Sequence, residues 1–309
     1  MILGATATGK TGLAVRLARA LDGEVIGADS VQIYRGLDAG TSKPSAAARA
    51  EIPHHLIDVA DPGESYSAGR FAREAAGAID RIARAGRTPI VVGGTGLYLR
   101  ALLKGIAPLP PRDDVVRGRL YERAAREARE SLHDELSRVD PVTAARLGRR
   151  DLQRVVRALE VFELTGEPLA AHIARQGTQA AGTAPIASMT CGLRMPRPAL
   201  YDRINTRVER IFEAGIVEEV GGLLSGGLDP GAASLKALGY REVVAHLRGE
   251  YDRARCIELV QRNTRHYARR QMIWFGREPG VSWFDVRDGS PQDLDDIASQ
   301  VLMQWGGAR

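Results

Sequence analysis

The stretch Gly4-Ala5-Thr6-Ala7-Thr8-Gly9-Lys10-Thr11 constrains this chain more than any other. It fits G-x-x-x-x-G-K-[ST], a tight loop whose backbone N–H groups cradle phosphate oxygens at a helix N-terminus. The glycines let the backbone close around an anion. Lys10 adds a point charge, and Thr11 a hydroxyl suited to Mg²⁺. With 34 glycines and only 4 lysines among 309 residues, the pattern should arise by chance roughly 0.004 times in such a chain. Met1-Ile2-Leu3 can end a strand before it, and Leu13, Leu17 and Leu21 share a helix face after it. The loop therefore predicts a strand–loop–helix unit that binds phosphate, and leaves open whose phosphate.

Beyond the first helix, 24–28 reads as a short buried strand that delivers Asp29 to its C-terminal end, where ligands sit in open α/β sheets. A strand-like piece follows at 52–59. Ser67 is placed to cap a helix carrying Phe71, Ala75, Ile79 and Ile82 on one face, ended by Gly86. Residues 89–92 form a buried strand that runs into Gly93-Gly94-Thr95-Gly96. This alternation predicts an α/β fold, a P-loop NTPase-like parallel sheet core with helices on both faces. Composition shifts at Pro108-Leu109-Pro110-Pro111, and no convincing strand follows until about 188. Residues 112–185 are thus expected to be an all-helical insertion domain in a discontinuous core of 1–111 and 186–309. Its expected helices are 115–136, 141–147 and one capped by Asp151 running to Leu164, with 177–182 as a flexible connector. The core resumes with a strand at 189–194, a long helix at 198–224 and another at 252–275.

Hydrophobic content of 44% and charged content of 26% are ordinary for a globular protein, and no apolar run approaches the ~20 residues of a membrane span. The loop begins three residues from Met1, which leaves no room for a signal or transit peptide and gives a short first strand. A start further upstream stays open. Cys191 and Cys256 are isolated, and the six histidines show no ligand spacing, so neither disulfides nor a zinc site is expected. A cytoplasmic enzyme is the expectation. Net charge is +5 with a pI near 9.4, carried by 39 arginines. That is compatible with a phosphate-rich polymer as partner, although charge alone does not decide it. In so lysine-poor a chain, Lys10, Lys43 and Lys236 all fall in motif-like stretches.

A phosphate loop suggests a nucleotide hydrolase or kinase first. Most of these carry an apolar strand ending in Asp or Glu for Mg²⁺, whereas Ile90-Val91-Val92 ends in Gly93-Gly94-Thr95. Asp29 is the one acid at a strand end with strong flanking signals. It reads equally as an indirect Mg²⁺ ligand or helix cap, and as a base for an acceptor nucleophile beside the phosphates. Arg154 and Arg157, with Arg150 before them, are spaced to grip a nucleic-acid backbone. The arginines between Arg117 and Arg129 are interleaved with Glu122 and Glu127, which points to a solvated, salt-bridged face.

Taken in order, several stretches carry a resemblance. They are 4–11, Ala28-Asp29-Ser30-Val31-Gln32-Ile33-Tyr34-Arg35, Gly40-Thr41-Ser42-Lys43-Pro44, Ile52-Pro53-His54-His55, Val92-Gly93-Gly94-Thr95-Gly96-Leu97-Tyr98, Arg154 to Val161, Leu238-Gly239-Tyr240-Arg241 and the tail 264–275. Together they resemble the bacterial tRNA dimethylallyltransferases (tRNA isopentenyltransferases) over essentially the whole chain. The resemblance implies transfer of a dimethylallyl group from its diphosphate to the exocyclic N6 amine of the adenosine 3′ of the anticodon, in tRNAs reading codons that begin with U. It implies dimethylallyl diphosphate and the tRNA anticodon stem-loop as partners, Mg²⁺ as cofactor, no membrane and a monomer. The loop, from Gly4, Ala5, Thr6, Ala7, Thr8 and Gly9 to Lys10 and Thr11, would hold the diphosphate leaving group, with Thr11 on the metal. Asp29 would take the amine proton, Thr95 would hold the acceptor, and Arg203 would stabilise the leaving group, with Arg207 as its rival. Contacts to tRNA would come from Asp29, Ser30, Val31, Gln32 and Thr95. Arg117, Gln153, Arg154, Val155, Val156 and Arg157 would add theirs from the insertion, and Lys236, Ala237, Leu238, Gly239, Tyr240 and Arg241 from the core. The chain departs from the family pattern at Ala5, where Pro is common, and at Thr8, where Ser or Gly is. No zinc-finger cysteines follow the tail. Two other readings stand beside this one: a small-molecule kinase using ATP, and a non-catalytic RNA-binding protein with a vestigial loop.

Overall fold

The structure, a computed structural model, describes residues 1–128, 130–180 and 188–307. Among them, six strands form one sheet: β1 (Ile2–Gly4), β2 (Gly23–Ala28), β3 (His54–His55), β4 (Thr88–Gly93), β5 (Thr190–Arg194) and β6 (Val281–Asp285). All pairings are parallel, in the order β3-β2-β4-β1-β5-β6. Side chains of a strand alternate between faces, and the core divides accordingly. Ile2, Val25, Ile90 and Val92 join one cluster with Leu13, Leu17, Leu200, Ile204, Ile297 and Val301. Leu3, Ile26 and Val91 join the opposite one with Phe71, Ala75, Ile82, Tyr98 and Phe275. Helices thus cover both faces, as parallel sheets require.

The strands converge tightly at their C-terminal ends. A Cβ on Gly93 would lie 2.1 Å from the Ala28 carbonyl oxygen, and one on Gly4, at φ 149°, 2.6 Å from that of Leu193. Only glycine fits there. β1 lies between β4 and β5, so the chain leaves it toward β2 on one side and reappears as β5 on the other. That reversal opens a crevice above the C-terminal end of β1, where the phosphate loop begins.

Several local readings hold and several change. Ser67 caps the Ala68–Arg84 helix, its side chain accepting from Arg70 N at 3.1 Å. Two expected long helices are each two. Asp114–Arg126 and Ser131–Val139 replace 115–136, and the arginine stripe loses its continuity, with Arg129 outside the described residues. Arg197–Glu213 and Ile216–Ser225 replace 198–224, broken at Gly215, whose φ of 90° a helix interior cannot hold. Asp151 precedes the Leu152–Thr165 helix without a side-chain capping bond. The expected connector at 177–182 is helical through Ala180, in keeping with the helix propensity of Gln179 and Ala180, and its last two residues lie outside the described ones. β6 and the Pro291–Gly307 helix have no counterpart in the sequence reading.

The chain divides into two compact units, Met1–Leu103 with Ala187–Arg309, and Lys104–Ile186. The second takes in more residues than 112–185, because its own side chains hold the Pro-rich segment. Arg157 Nη2 donates to Pro110 O at 2.8 Å, and Asp113 N donates to Glu160 Oε1 at 2.7 Å. Glu160, fully buried, also accepts from Arg117 Nε and Nη2, both at 2.9 Å, and from Arg157 Nη1 at 2.6 Å. These bonds hold its carboxyl below the usual carboxylate range although burial alone would raise it. Glu160→Ala would strand two arginines beside an apolar core, and a loss of about 3 kcal/mol in the stability of this unit is expected by thermal or urea melting.

Candidate active site

The phosphate loop leaves β1 at Gly4, turns at Ala7 (φ 65°) and Gly9 (φ 94°), and enters the Lys10–Ala20 helix. Thr8 is buried and braces the loop from within, its hydroxyl donating to Ala5 O at 2.8 Å. Lys10 Nζ donates to the same carbonyl at 2.5 Å. Arg207 Nη1 donates to Thr6 Oγ1 at 2.8 Å. Both cations are enclosed, keeping only the accessibility that the cavity gives them, and no carboxylate of the described residues forms an ion pair with either. Enclosure pulls the Lys10 ammonium down to about 7, helped by the charge of Arg207 and opposed by Asp29. It lowers Arg207 as well. Two enclosed cations that share one nearby carboxylate charge, that of Asp29, beside a helix N-terminus are suited to an anion.

Gln271 joins this loop to the end of β4. Its Oε1 accepts from Thr6 N and its Nε2 donates to Gly94 O, both at 2.8 Å. Asp29 follows β2, and its Oδ1 accepts from Val31 N at 2.9 Å and Gln32 N at 3.3 Å, which folds 29–32 into a turn. Thr95 Oγ1 accepts from Ser30 N at 3.1 Å and so ties the ends of β2 and β4 together. Tyr267, from the Arg253–Phe275 helix, completes the wall. Burial and the Asp29 charge push its phenol up to about 12, while hydrogen bonds with Thr95 and Gln271 oppose the shift.

A cavity of about 100 Å³ is lined by Thr6, Lys10, Thr11, Asp29, Gln32, His54, Gly94, Arg207, Tyr267 and Gln271, among others. A larger one of about 390 Å³ shares Thr6, Asp29, Thr41, Arg207 and Tyr267 with it and continues past Ser30, Val31, Tyr66, Tyr98 and Lys236 to Gly239. Asp29 thus borders both, with cations on one side and a mostly apolar chamber on the other. Arg203 takes a different place. Its Nε donates to Ala7 O at 3.0 Å and its Nη1 to Asp288 O at 2.5 Å, and it lines an open depression of about 600 Å³ outside the loop. Arg207 lines all three cavities.

The remaining expected residues divide. Lys236, Ala237, Leu238 and Gly239 border the larger chamber. Tyr240 is fully buried, its hydroxyl donating to Glu219 Oε1 at 2.8 Å, and Arg241 is exposed and paired with Glu242. In the helical unit Gln153 and Arg154 are exposed, while Val155 and Val156 are packed in its core. Arg117 and Arg157 face Glu160. The side chains of Val155, Val156 and Tyr240, three of the residues expected to contact tRNA, are buried and have no surface to offer. Lys43 is no free cation: it donates to Tyr34 O and pairs with Asp38 and Asp58. Sequence reasoning passed over Gln271, Tyr267 and His54 as site residues. Gln271 had left a signal, since a polar residue interrupts the buried face of Thr264, Ala268 and Phe275. His54 Nδ1 donates to Ile52 O at 2.6 Å and its buried Nε2 has no hydrogen-bond partner among the described residues.

Fold and site together define an α/β protein of the phosphate-loop type, with two enclosed cations beside a carboxylate. An IPP transferase family matches residues 32–278, and an isopentenyl transferase family residues 1–53. The chain is 45% identical over 306 residues to a tRNA dimethylallyltransferase of Geobacter sulfurreducens, covering 99% of this chain and 96% of that one. It is 48% identical over 290 residues to tRNA dimethylallyltransferase 1 of Trichlorobacter lovleyi, with 94% of each covered. The crystal structure of a tRNA isopentenylpyrophosphate transferase from Bacillus halodurans matches with TM-score 0.69 at 38% identity, covering 97% of this chain and 94% of that one. A eukaryotic dimethylallyltransferase acting on tRNA matches with TM-score 0.77 at 27% identity, covering 98% and 79%. The chain belongs to the tRNA dimethylallyltransferase (IPP transferase) family.

The lowered Lys10 ammonium gives a pH dependence with a definite sign. Below about 7 the empty site already holds the charged form, which is the one that attracts an anion. Above it, binding must first recapture a proton. The Kd of an alkyl diphosphate should therefore rise between pH 7.5 and 9, by at most about tenfold per unit. Calorimetric titration measures it, and Lys10→Met should bind weakly with no such slope.

Proposed function

We propose that this protein transfers a dimethylallyl group from dimethylallyl diphosphate to the N6 amine of the adenosine 3′ of the anticodon, in tRNAs that read codons beginning with U. Its natural setting is the cytoplasm and its working form a monomer. One observation carries the reading: Asp29 stands where a loop with two enclosed cations meets a roomy, mostly apolar chamber. A base can enter the chamber while a diphosphate occupies the loop. Breaking the allylic carbon–oxygen bond builds negative charge on the diphosphate. Loop N–H groups, Lys10 and Arg207 are aimed at that charge and lower the barrier. Arg207 suits direct contact better than Arg203, because it borders the same cavity as Lys10 and Arg203 does not. As the amine nitrogen bonds to carbon it loses a proton, which Asp29 accepts, while Thr95 holds the acceptor.

The residues present fit Mg²⁺ carried in by the substrate. Thr11 offers one hydroxyl beside the phosphate site, and no group of three acidic, His or Cys side chains among the described residues is placed to hold a metal ion. Such a donor set suits an ion that keeps phosphate oxygens and water as its other ligands. When bound, Mg²⁺ would offset charge on the leaving diphosphate. On the tRNA side, an anticodon loop lets a nucleotide leave its stack at small cost. Residues 29–32 and 236–239 are suited to the splayed nucleotide. Gln153 and Arg154 of the helical unit supply the accessible polar contacts, with Arg117 and Arg157 supporting them through Glu160.

Radiolabelled dimethylallyl diphosphate with unmodified tRNA tests the reaction. Label in RNA and release of diphosphate are expected. ATP consumption with phosphate in a small product, and no label in RNA, would instead establish a kinase. Asp29→Ala should lower single-turnover transfer by about 10³ with tRNA affinity retained, and near-normal transfer in that variant would remove Asp29 from the proton step. Arg154→Ala should weaken tRNA binding and reduce the slope of log K against log salt by about one, whereas Val156→Ala should leave that slope unchanged.

A further inference from the structure

The segment that sequence reasoning passed over touches the anion site from behind. Asp293, almost fully buried in the first turn of the Pro291–Gly307 helix, accepts three backbone bonds with Oδ2. They come from Arg287 N at 2.9 Å, Asp288 N at 3.1 Å and Gly289 N at 2.9 Å. Its Oδ1 accepts from Arg287 Nε at 3.0 Å. One carboxylate therefore fixes the whole 287–289 turn. That turn presents the Asp288 carbonyl to Arg203 Nη1, and Arg203 Nε holds Ala7 O of the phosphate loop. Gly289 lies flat against the guanidinium, since a Cβ there would meet Arg203 Cζ at 2.8 Å. The next residue, Leu294, packs on the loop itself, 3.1 Å from a Cβ built on Gly9 and 2.9 Å from one on Gly12.

We propose that the Asp293-centred turn is a positioning element for diphosphate binding, which sets the shape of the phosphate loop through Arg203. The inference rests on the loop's proposed role as diphosphate site. Asp293 is too deeply buried to meet a ligand, and it acts only by where it puts the Asp288 carbonyl. Arg203 in turn spans two carbonyls, one on each side, and splints Ala7 at the point where the loop backbone turns to positive φ. Backbone N–H groups of such a loop bind phosphate only while they point inward, so slack at Ala7 weakens the cradle without removing any group that touches the ligand.

Binding of inorganic diphosphate with Mg²⁺, and the donor KM and kcat of prenyl transfer, test this in the full chain. Asp293→Ala removes the cap. Gly289→Ala keeps the Asp293 carboxylate, displaces the guanidinium and strains the turn at its φ of 68°, so one variant stands in if the other folds poorly. Each should raise the diphosphate Kd and donor KM about tenfold, with tRNA affinity unchanged, and each should add less than about twofold in an Arg203→Ala background. Val301→Ala, a core truncation in the same helix, should lower the melting temperature while leaving diphosphate affinity unchanged. Additive losses in the Arg203→Ala background overturn the inference, as does an equal loss of affinity in Val301→Ala. Lys10→Ala marks the underlying reading. Unchanged diphosphate affinity there overturns the site assignment, whereas loss with Lys10→Ala and none with Asp293→Ala or Gly289→Ala overturns this inference alone.

Discussion

Two enclosed cations, Lys10 and Arg207, with no ion pair to a carboxylate of the described residues and only the Asp29 charge nearby, are the constraint on which the arrangement of this protein turns. An uncompensated charge inside a protein costs several kcal/mol unless dipoles or ligands meet it. Here backbone and side-chain oxygens meet it in part: Ala5 O takes the ammonium and Thr6 Oγ1 the guanidinium. The remaining deficit is one that a bound anion would relieve. It also explains why the surrounding framework is so heavily tied, through Gln271 to the end of β4 and through Thr95 to the start of the 30–32 turn. A loop under mutual repulsion would open without those ties.

The parts of this molecule that were legible in sequence are those where local chemistry and tertiary context agree. The phosphate loop needs its glycines for backbone reasons, so the pattern and the geometry coincide. The same is true of Ser67 and of the strands ending at Ala28 and Gly93, whose buried runs have one sensible reading. Illegible parts follow a different rule. β6 begins at Val281-Ser282-Trp283, where only the neighbouring β5 turns a mixed sequence into a strand. Gly215 breaks a periodic apolar pattern that would otherwise continue as one helix, and periodicity cannot register a single positive φ. His55, by contrast, carries no catalytic geometry: it bonds Glu24 at 2.6 Å, and that carboxylate also holds Arg87.

Arginine was the residue type that sequence reasoning separated least well, and the reason is physical. A guanidinium has the same five donors whether it grips a phosphate, a carboxylate or two carbonyls. Arg154 stands in solvent, Arg157 grips Glu160 one turn away on the same helix, and Arg203 bridges two backbone oxygens. Spacing alone cannot distinguish these fates. Burial of the partner can, and Glu160, an acid on the apolar face of its helix between Leu159 and Val161, was the visible sign that some neighbouring arginine was already committed.

The bond from Thr6 N to Gln271 has a consequence for how many phosphoryl groups the loop can grip. A cradle of backbone amides has a finite set of donors, and here the protein's own carboxamide consumes one of them before any ligand arrives. Arg207 covers the hydroxyl of the same residue. The eight-residue pattern is therefore a shorter cradle in space than it is on paper, stoppered at Thr6 by a side chain 265 positions further along the chain. A consensus pattern counts residues, whereas capacity is counted in amides left over.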